Sequence, residues 1–267
     1  MANPERLVPV FLLILLSLLA ACSGRPARDS APGSASVAGA VPPDAVPRKE
    51  PRSRYGNGPI YEVYGVPYQV LPSSNGYHER GVASWYGQKF HGQPTSSREP
   101  YDMYAMTAAH KTLPLPTYVQ VKNLRNNKVI VVRINDRGPF VDNRIIDLSY
   151  SAALKLDMIR DGTSLVEVTA MNVDDPPAYT RPSANEETTD ATVFVQVGAF
   201  GDVENARRRY DQLRDSGIRA AFVHEDTSHR QILYRVRIGP IADVDQYDSL
   251  VAQLSRLGIV ETHLVTQ

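Results

Sequence analysis

Two stretches decide how this chain folds. Residues 81–124 read GVASWYGQKFHGQPTSSREPYDMYAMTAAHKTLPLPTYVQVKNL, and residues 131–149 read VVRINDRGPFVDNRIIDLS. Both consist of short runs of β-branched and aromatic residues cut by Gly, Pro, Asn and Asp. Gly81–Tyr86, Tyr118–Asn123, Lys128–Ile134 and Leu165–Met171 read as strands. Short strands with frequent turn residues predict an all-β barrel across residues 79–172. One segment departs from that pattern: Ser149–Leu156 reads as a short helix with Ser149 as its N-cap.

Working outward toward the amino end, Tyr55–Tyr77 is a mixed zone with Ile60, Tyr61, Val63, Tyr64, Val66, Tyr68 and Val70, broken by prolines and glycines. It reads as an extended arm. From Ser23 to Arg54 there is no Leu, Ile, Met, Phe, Tyr or Trp, so that stretch lacks the apolar surface needed to offset its ordering entropy. Residues 25–78 are therefore expected to be a flexible tether and arm. From Leu7 to Ala21 the chain is nearly all apolar, interrupted by Pro9 and Ser17. As a helix that run spans about 22 Å, short of a hydrocarbon core of about 30 Å, and reads as the apolar part of a secretory signal. Residues 1–24 are set aside from the fold on that ground.

Toward the carboxyl end, residues 173–190 hold three prolines and five acidic residues and read as a linker. Residues 191–267 contain an internal repeat. A strand Val193–Phe200, a helix Val203–Ser216 and a strand Arg219–Glu225 are followed by a strand Gln231–Ile238, a helix Val244–Leu257 and a strand Glu261–Val265. Strand–helix–strand twice predicts a small α+β, ferredoxin-like domain, a four-stranded antiparallel sheet with two helices on one face. Alternation puts Val193, Val195, Val197 and Ala199 toward the helices. Phe194, Gln196, Gly198 and Phe200 then face away, with Leu233, Arg235 and Arg237 beside them.

Composition narrows the function. Lys plus Arg and Asp plus Glu are both 29, a formal net charge of zero, which disfavours nucleic acid as partner. The single cysteine excludes a disulfide framework and any multi-cysteine metal site. His91, His110 and Asp136 lack ligand spacing, so neither metal nor cofactor is expected.

The central stretches carry a family resemblance. Ala83-Ser84-Trp85-Tyr86-Gly87, Phe90-His91-Gly92, Tyr101-Asp102-Met103, the run from Thr107 to Pro114, and Arg133-Ile134-Asn135-Asp136-Arg137-Gly138-Pro139 resemble the rare lipoprotein A (RlpA) family of septal lytic transglycosylases. The resemblance implies a mainly β fold, a double-psi β-barrel. It also implies a functional triad matching Glu99, His110 and Asp136. In one departure, Arg98 stands where the family usually has glycine, which adds a β-carbon just before Glu99.

Chemistry sets what such a site must do. Breaking a β-1,4 glycosidic bond requires a proton for the leaving oxygen and stabilisation of an oxocarbenium-like centre. In a lytic transglycosylase the muramic acid C6 hydroxyl attacks, so one carboxyl can serve as acid and then as base. Asp136 is assigned that role, Glu99 and His110 orient the sugar or stabilise charge, and Trp85 and Tyr86 supply an aromatic wall. Arg133 and Arg137 flank Asp136 and would hold its carboxyl low unless burial or Glu99 opposes them. Asp147 reads as a cap for the short helix or a partner of Arg144.

Two further resemblances complete the reading. Phe194–Phe200 and Tyr234–Pro240 resemble the SPOR domain, whose members bind glycan strands stripped of stem peptides. Gln196, Phe200, Arg235 and Arg237 are its candidate binding residues. Leu19-Ala20-Ala21-Cys22 resembles the bacterial lipobox, which implies lipidation at Cys22 and a periplasmic protein anchored in the outer membrane and enriched at the septum. The expected partners are peptidoglycan glycan strands, the membrane through that anchor, and division-site proteins. The implied activity is endolytic cleavage of peptide-free glycan with an anhydro product. A non-catalytic wall-binding lipoprotein and an ordinary glycoside hydrolase remain alternatives at this point.

Overall fold

The computed structural model describes residues 42–173, 192–228 and 231–267. Cys22, the signal segment and nearly all of the linker lie outside the described residues.

The chain first forms a hairpin, β1 (Ile60–Val63) and β2 (Val66–Gln69). Its two-residue turn places Tyr64 at φ 52° and Gly65 at φ 79°, the left-handed pair that matches strand twist in a tight hairpin. Six further strands follow: β3 (His78–Tyr86), β4 (Thr107–His110), β5 (Thr117–Asn123), β6 (Val129–Asp136), β7 (Arg144–Ser149) and β8 (Ser164–Ala170). They close into a barrel in the order β3-β7-β4-β6-β5-β8. β3 runs parallel to β7 and β4 parallel to β6, while the other neighbours are antiparallel.

The barrel is filled by one face of each strand. Ala83, Ala108, Val119, Val121, Val132, Ile134, Ile146, Leu148, Val166 and Val168 are all buried in a single cluster. Closure leaves no strand edge unpaired, so small interior residues such as Ala83 and Ala108 let the narrow barrel shut. The helix α1 (Tyr150–Lys155) leaves β7 directly, and Ser149 Oγ accepts from Ala152 N as expected of its cap.

The segment expected to be a tether is partly bound to the barrel. Ala45 N donates to Val131 O, Ser53 N to Leu115 O and Leu71 N to Thr112 O, while Lys155 pairs with Asp44 at 2.5 Å. Residues 42–54, read as part of the flexible tether, are thus bound to the barrel, and residues 55–77 form an arm packed on it. Backbone hydrogen bonds and ion pairs are joined there by Ala45, Leu71 and Tyr77, which pack against the barrel core.

The carboxyl-terminal unit follows the predicted order: β9 (Val193–Phe200), α2 (Val203–Asp215), β10 (Ala221–Asp226), β11 (Leu233–Ile238), α3 (Val244–Arg256) and β12 (His263–Thr266). The sheet order is β10-β11-β9-β12, all antiparallel. Asp202 and Asp243 cap the two helices through their carboxylates. Ala206 and Leu213 of α2 and Leu250 and Leu254 of α3 bury Val193, Val195, Val197, Val236 and Ile238.

One expectation on this sheet is corrected. Arg237 pairs with Gln196 but Val236 pairs with Gly198, so Val197 is an extra residue in β9. A bulge reverses the alternation beyond it. Ala199 is therefore exposed opposite Arg235, while Phe200 lies opposite Tyr234 and packs with it on the helix-facing core. A β-carbon on Gly198 would lie 2.6 Å from the Phe200 ring, which explains glycine there. Phe200 is not on the open face.

Candidate active site

The site grows from a second bulge. Ala108 pairs with Ile134 and Ala109 with Asp136, so Asn135 is the extra residue of β6. Without it Asp136 would share the interior face of Ile134. With it Asp136 is turned to the outer face, which is the common use of a bulge beside an active site. Registers then place Asp136, Ala109, Asp147 and Ser84 in one lateral row across β6, β4, β7 and β3. Two carboxyl groups are separated by one alanine.

Three donors converge on Asp136 Oδ1: Ser96 N at 2.8 Å, Ser96 Oγ at 2.7 Å and Arg137 N at 2.7 Å. Oδ2 has no hydrogen-bond partner among the described residues. Neither neighbouring guanidinium bonds the carboxylate. Arg133 turns to Glu99 and Glu50, and Arg137 Nε and Nη1 donate to Gly56 O and Leu113 O.

Glu99 is held by the same loop. Arg98 N donates to Thr95 O to close a turn, and Ser97 N donates to Asn135 O to dock it on β6. Arg133 reaches both Glu99 oxygens at 2.7 and 2.9 Å, and Asn135 Nδ2 donates at 2.9 Å. Burial pulls the Glu99 carboxyl upward, but the bonds from Arg133 and Asn135 outweigh it and leave it below the usual range. The turn thus brings Glu99 and Asp136 to one place, through Asn135 and Ser96.

His110 is placed differently. It shares the interior face of Ala108 and is 2% exposed. Its Nδ1 accepts from Thr112 N and Leu113 N, so the ring proton is on Nε2, which meets the Tyr77 hydroxyl at 2.7 Å. That hydroxyl bonds Glu79 in turn. Burial, with Arg137 and Lys111 nearby, pushes the imidazole down to about 3, so it is neutral at physiological pH. The structure does not join His110 to Glu99 or Asp136 by any hydrogen bond among the described residues. Its two accepted bonds organise the turn after β4.

Trp85 and Tyr86 also part company, as consecutive strand residues must. Trp85 pairs with Leu148 and packs edge-on to Tyr150 at 5.8 Å. Tyr86 lies on the face of the acid row, stacked on Tyr101 at 4.0 Å. They do not form one wall. Asp147, read from sequence as a cap or an Arg144 partner, accepts from Ser84 Oγ. Burial pushes its carboxyl up, against the Ser84 bond, Arg144 and Lys111, and Asp136 adds to the rise. No group of three His, Cys, Asp or Glu residues among those described can hold a metal ion.

On the tail, Gln196 and Arg237 stand side by side on the open sheet face. Gln196 Oε1 and Arg237 Nε are buried without a hydrogen-bond partner among the described residues. Such orphaned groups are costly unless a ligand meets them. Arg235 is instead tied to Asp226 at 2.7 Å.

Both units, the barrel and the tail, match known families. The lytic transglycolase family matches residues 78–168 and the SPOR domain family residues 189–262. A Vibrio cholerae endolytic peptidoglycan transglycosylase RlpA is 40% identical over 93% of this chain and 93% of its own. The RlpA of Pseudomonas aeruginosa strain UCBPP-PA14 is 37% identical over 83% of this chain and 80% of its own. The solved RlpA SPOR domain from Pseudomonas aeruginosa is 31% identical, covering 27% of this chain and 96% of that one with a TM-score of 0.25. The chain belongs to the RlpA family.

Proposed function

We propose that the enzyme cleaves the β-1,4 bond between N-acetylmuramic acid and N-acetylglucosamine within peptide-free peptidoglycan strands. Asp136 protonates the leaving oxygen through Oδ2, then takes the proton of the muramic C6 hydroxyl as that oxygen closes the 1,6-anhydro ring. Proton count is conserved, and no water is consumed. Glu99, held ionised by Arg133, places negative charge beside the oxocarbenium-like centre. His110 and Tyr77 hold the turn that carries Leu113, whose carbonyl receives Arg137.

The observation that carries this reading is the bulge at Asn135, which turns Asp136 out of the barrel core. A barrel that merely gripped glycan would have no need to present an acid oxygen without a partner. Gln196 and Arg237 supply the open groups of the SPOR face for sugar hydroxyls and lactyl carboxylates. Lipidation at Cys22 tethers the protein to the outer membrane, facing the periplasm, and the tail concentrates it at the septum among division-site proteins.

Digestion of peptide-free glycan, followed by mass spectrometry, tests the reaction. Anhydro ends are expected; reducing ends would mean hydrolysis, and intact strands would mean binding alone. Asp136→Asn is expected to lower kcat at least a hundredfold, within the range ascribed to a lost general acid–base. An Asp136→Asn enzyme cutting at the parent rate would remove the assignment.

A further inference from the structure

The β1–β2 hairpin precedes the residues matched by the lytic transglycolase family, yet it lies against the acid row. Tyr61 OH donates to Lys111 O at 2.7 Å, next to the end of β4. Tyr61 stacks on Tyr68 at 5.3 Å, and Phe140 from the β6–β7 loop packs against both, at 6.3 and 5.5 Å. Phe140 in turn is near Asp147: a β-carbon on Gly138 would be 3.9 Å from the Phe140 ring and from Asp147 Oδ2 alike.

Between hairpin and barrel is a cavity of about 400 Å³, lined by Gly56, Tyr61, Val63, Ser96, Arg137 and Phe140 among others. That volume falls within the usual range for small-molecule pockets. Two of its walls have definite chemistry. Ser96 is the residue whose amide and hydroxyl hold Asp136 Oδ1, so the cavity adjoins the reacting acid. Arg137 is only 9% exposed, and its guanidinium bonds only carbonyl and amide oxygens, from Gly56, Asn57, His110, Lys111 and Leu113. It forms no ion pair with a carboxylate among the described residues, although Asp136 is its neighbour in the chain. Asp136 acts on this buried cation only through space, which leaves it open to an anionic ligand.

We infer that this cavity is a sugar subsite for an N-acetylmuramic acid residue of the strand, with the lactyl carboxylate drawn toward Arg137 and the pyranose and acetyl methyl surfaces packed against Tyr61, Val63 and Phe140. The inference rests on glycan being the substrate. It makes the amino-terminal hairpin part of the substrate-binding surface and gives the enzyme a preference for strands that retain the lactyl carboxylate.

The test uses the full chain carrying Asp136→Asn, so that added glycan is not consumed, and reads hydrogen–deuterium exchange peptide by peptide. Peptide-free glycan oligomers are expected to slow exchange across residues 58–69 at least threefold. Oligomers whose carboxyls have been chemically reduced to alcohols should protect this segment less. Adding Val63→Glu, which sets a carboxylate in the cavity, should abolish the protection while leaving that of the SPOR sheet intact. In the active enzyme Val63→Glu should raise KM for native glycan about tenfold, more than it lowers kcat. Unchanged exchange over residues 58–69 while the SPOR sheet is protected would overturn the subsite. Equal protection by native and reduced oligomers would overturn the role of Arg137. Failure of the parent enzyme to cut glycan would count against the reaction instead, since the exchange result does not depend on turnover.

Discussion

Arg98 shows how much one backbone angle can explain. Its φ of 72° lies in the left-handed region, where a β-carbon costs about 1 kcal/mol. The family's usual glycine is thereby accounted for, and so is the tolerance of arginine. Its guanidinium sits 5.2 Å from the centre of the Tyr55 ring, an attraction of about 0.5–1 kcal/mol at an exposed site. Arg98→Ala keeps the strain and loses the ring contact, whereas Arg98→Gly loses both. Urea melts should therefore find the glycine variant more stable than the alanine variant by about 1 kcal/mol. Asp147 offers a second test at this scale. Its folded carboxyl titrates above the ordinary value of 3.8, so the native state keeps its proton longer than the unfolded chain. Stability then falls as pH rises from that ordinary value through the raised one. Asp147→Asn removes this loss, so its stability relative to the parent should improve as pH rises from about 3.5 to about 8. Matched urea midpoints at the two pH values give the sign directly.

Elements explain which parts of the fold were legible in the sequence. The longer strands and the repeated tail announced themselves through alternation, and Ser149 announced the short helix. Two features carried no such signal. Asn135 and Val197 are each one residue too many for their strands, and nothing in an alternating pattern marks where a bulge falls. Their effect is large, because a slip of one position moves every later side chain to the other face. That is why Phe200 lies on the packed face and why Asp136 works outward, whereas His110 follows plain alternation on β4, opposite Ile146. The docking of residues 42–54 was illegible for a different reason: Glu50 joins them to the barrel through Arg133 at 2.8 Å and Tyr118, polar contacts that alternation does not mark. Hydrogen bonds from Arg133 hold the Glu50 carboxyl down to about 2, against an ordinary 4.5. A lowered folded value means stability present above the ordinary one and lost as pH falls toward 2. Glu50→Gln should cost about 1–3 kcal/mol at pH 7, as expected for charge-assisted bonds, with the gap closing near pH 2.5. Thermal melts across that range, with proteolysis after Arg54 as a reporter of arm release, measure both consequences.

At the scale of the whole molecule, a barrel that cuts and a sheet that grips act on the same polymer. Once one unit is bound, the other meets the strand at a local concentration set by the chain between them, so joint occupancy can exceed either affinity by orders of magnitude. The open face of the sheet is suited to isolating that effect. Arg237 Nε has no partner to lose among the described residues, so Arg237→Met replaces an orphaned buried group with an apolar one of similar length. The fold should therefore melt at or above the parent temperature, which separates a binding defect from a folding one. With dilute glycan, cleavage by Arg237→Met should fall about tenfold or more, because the barrel must find its substrate unaided. With saturating glycan the rate should return to that of the parent, since Asp136 and Glu99 belong to the other unit. A variant that lost rate equally at both concentrations would mean that the sheet shapes the reaction itself. A variant that lost none would mean that the barrel, with its arm, holds the strand alone.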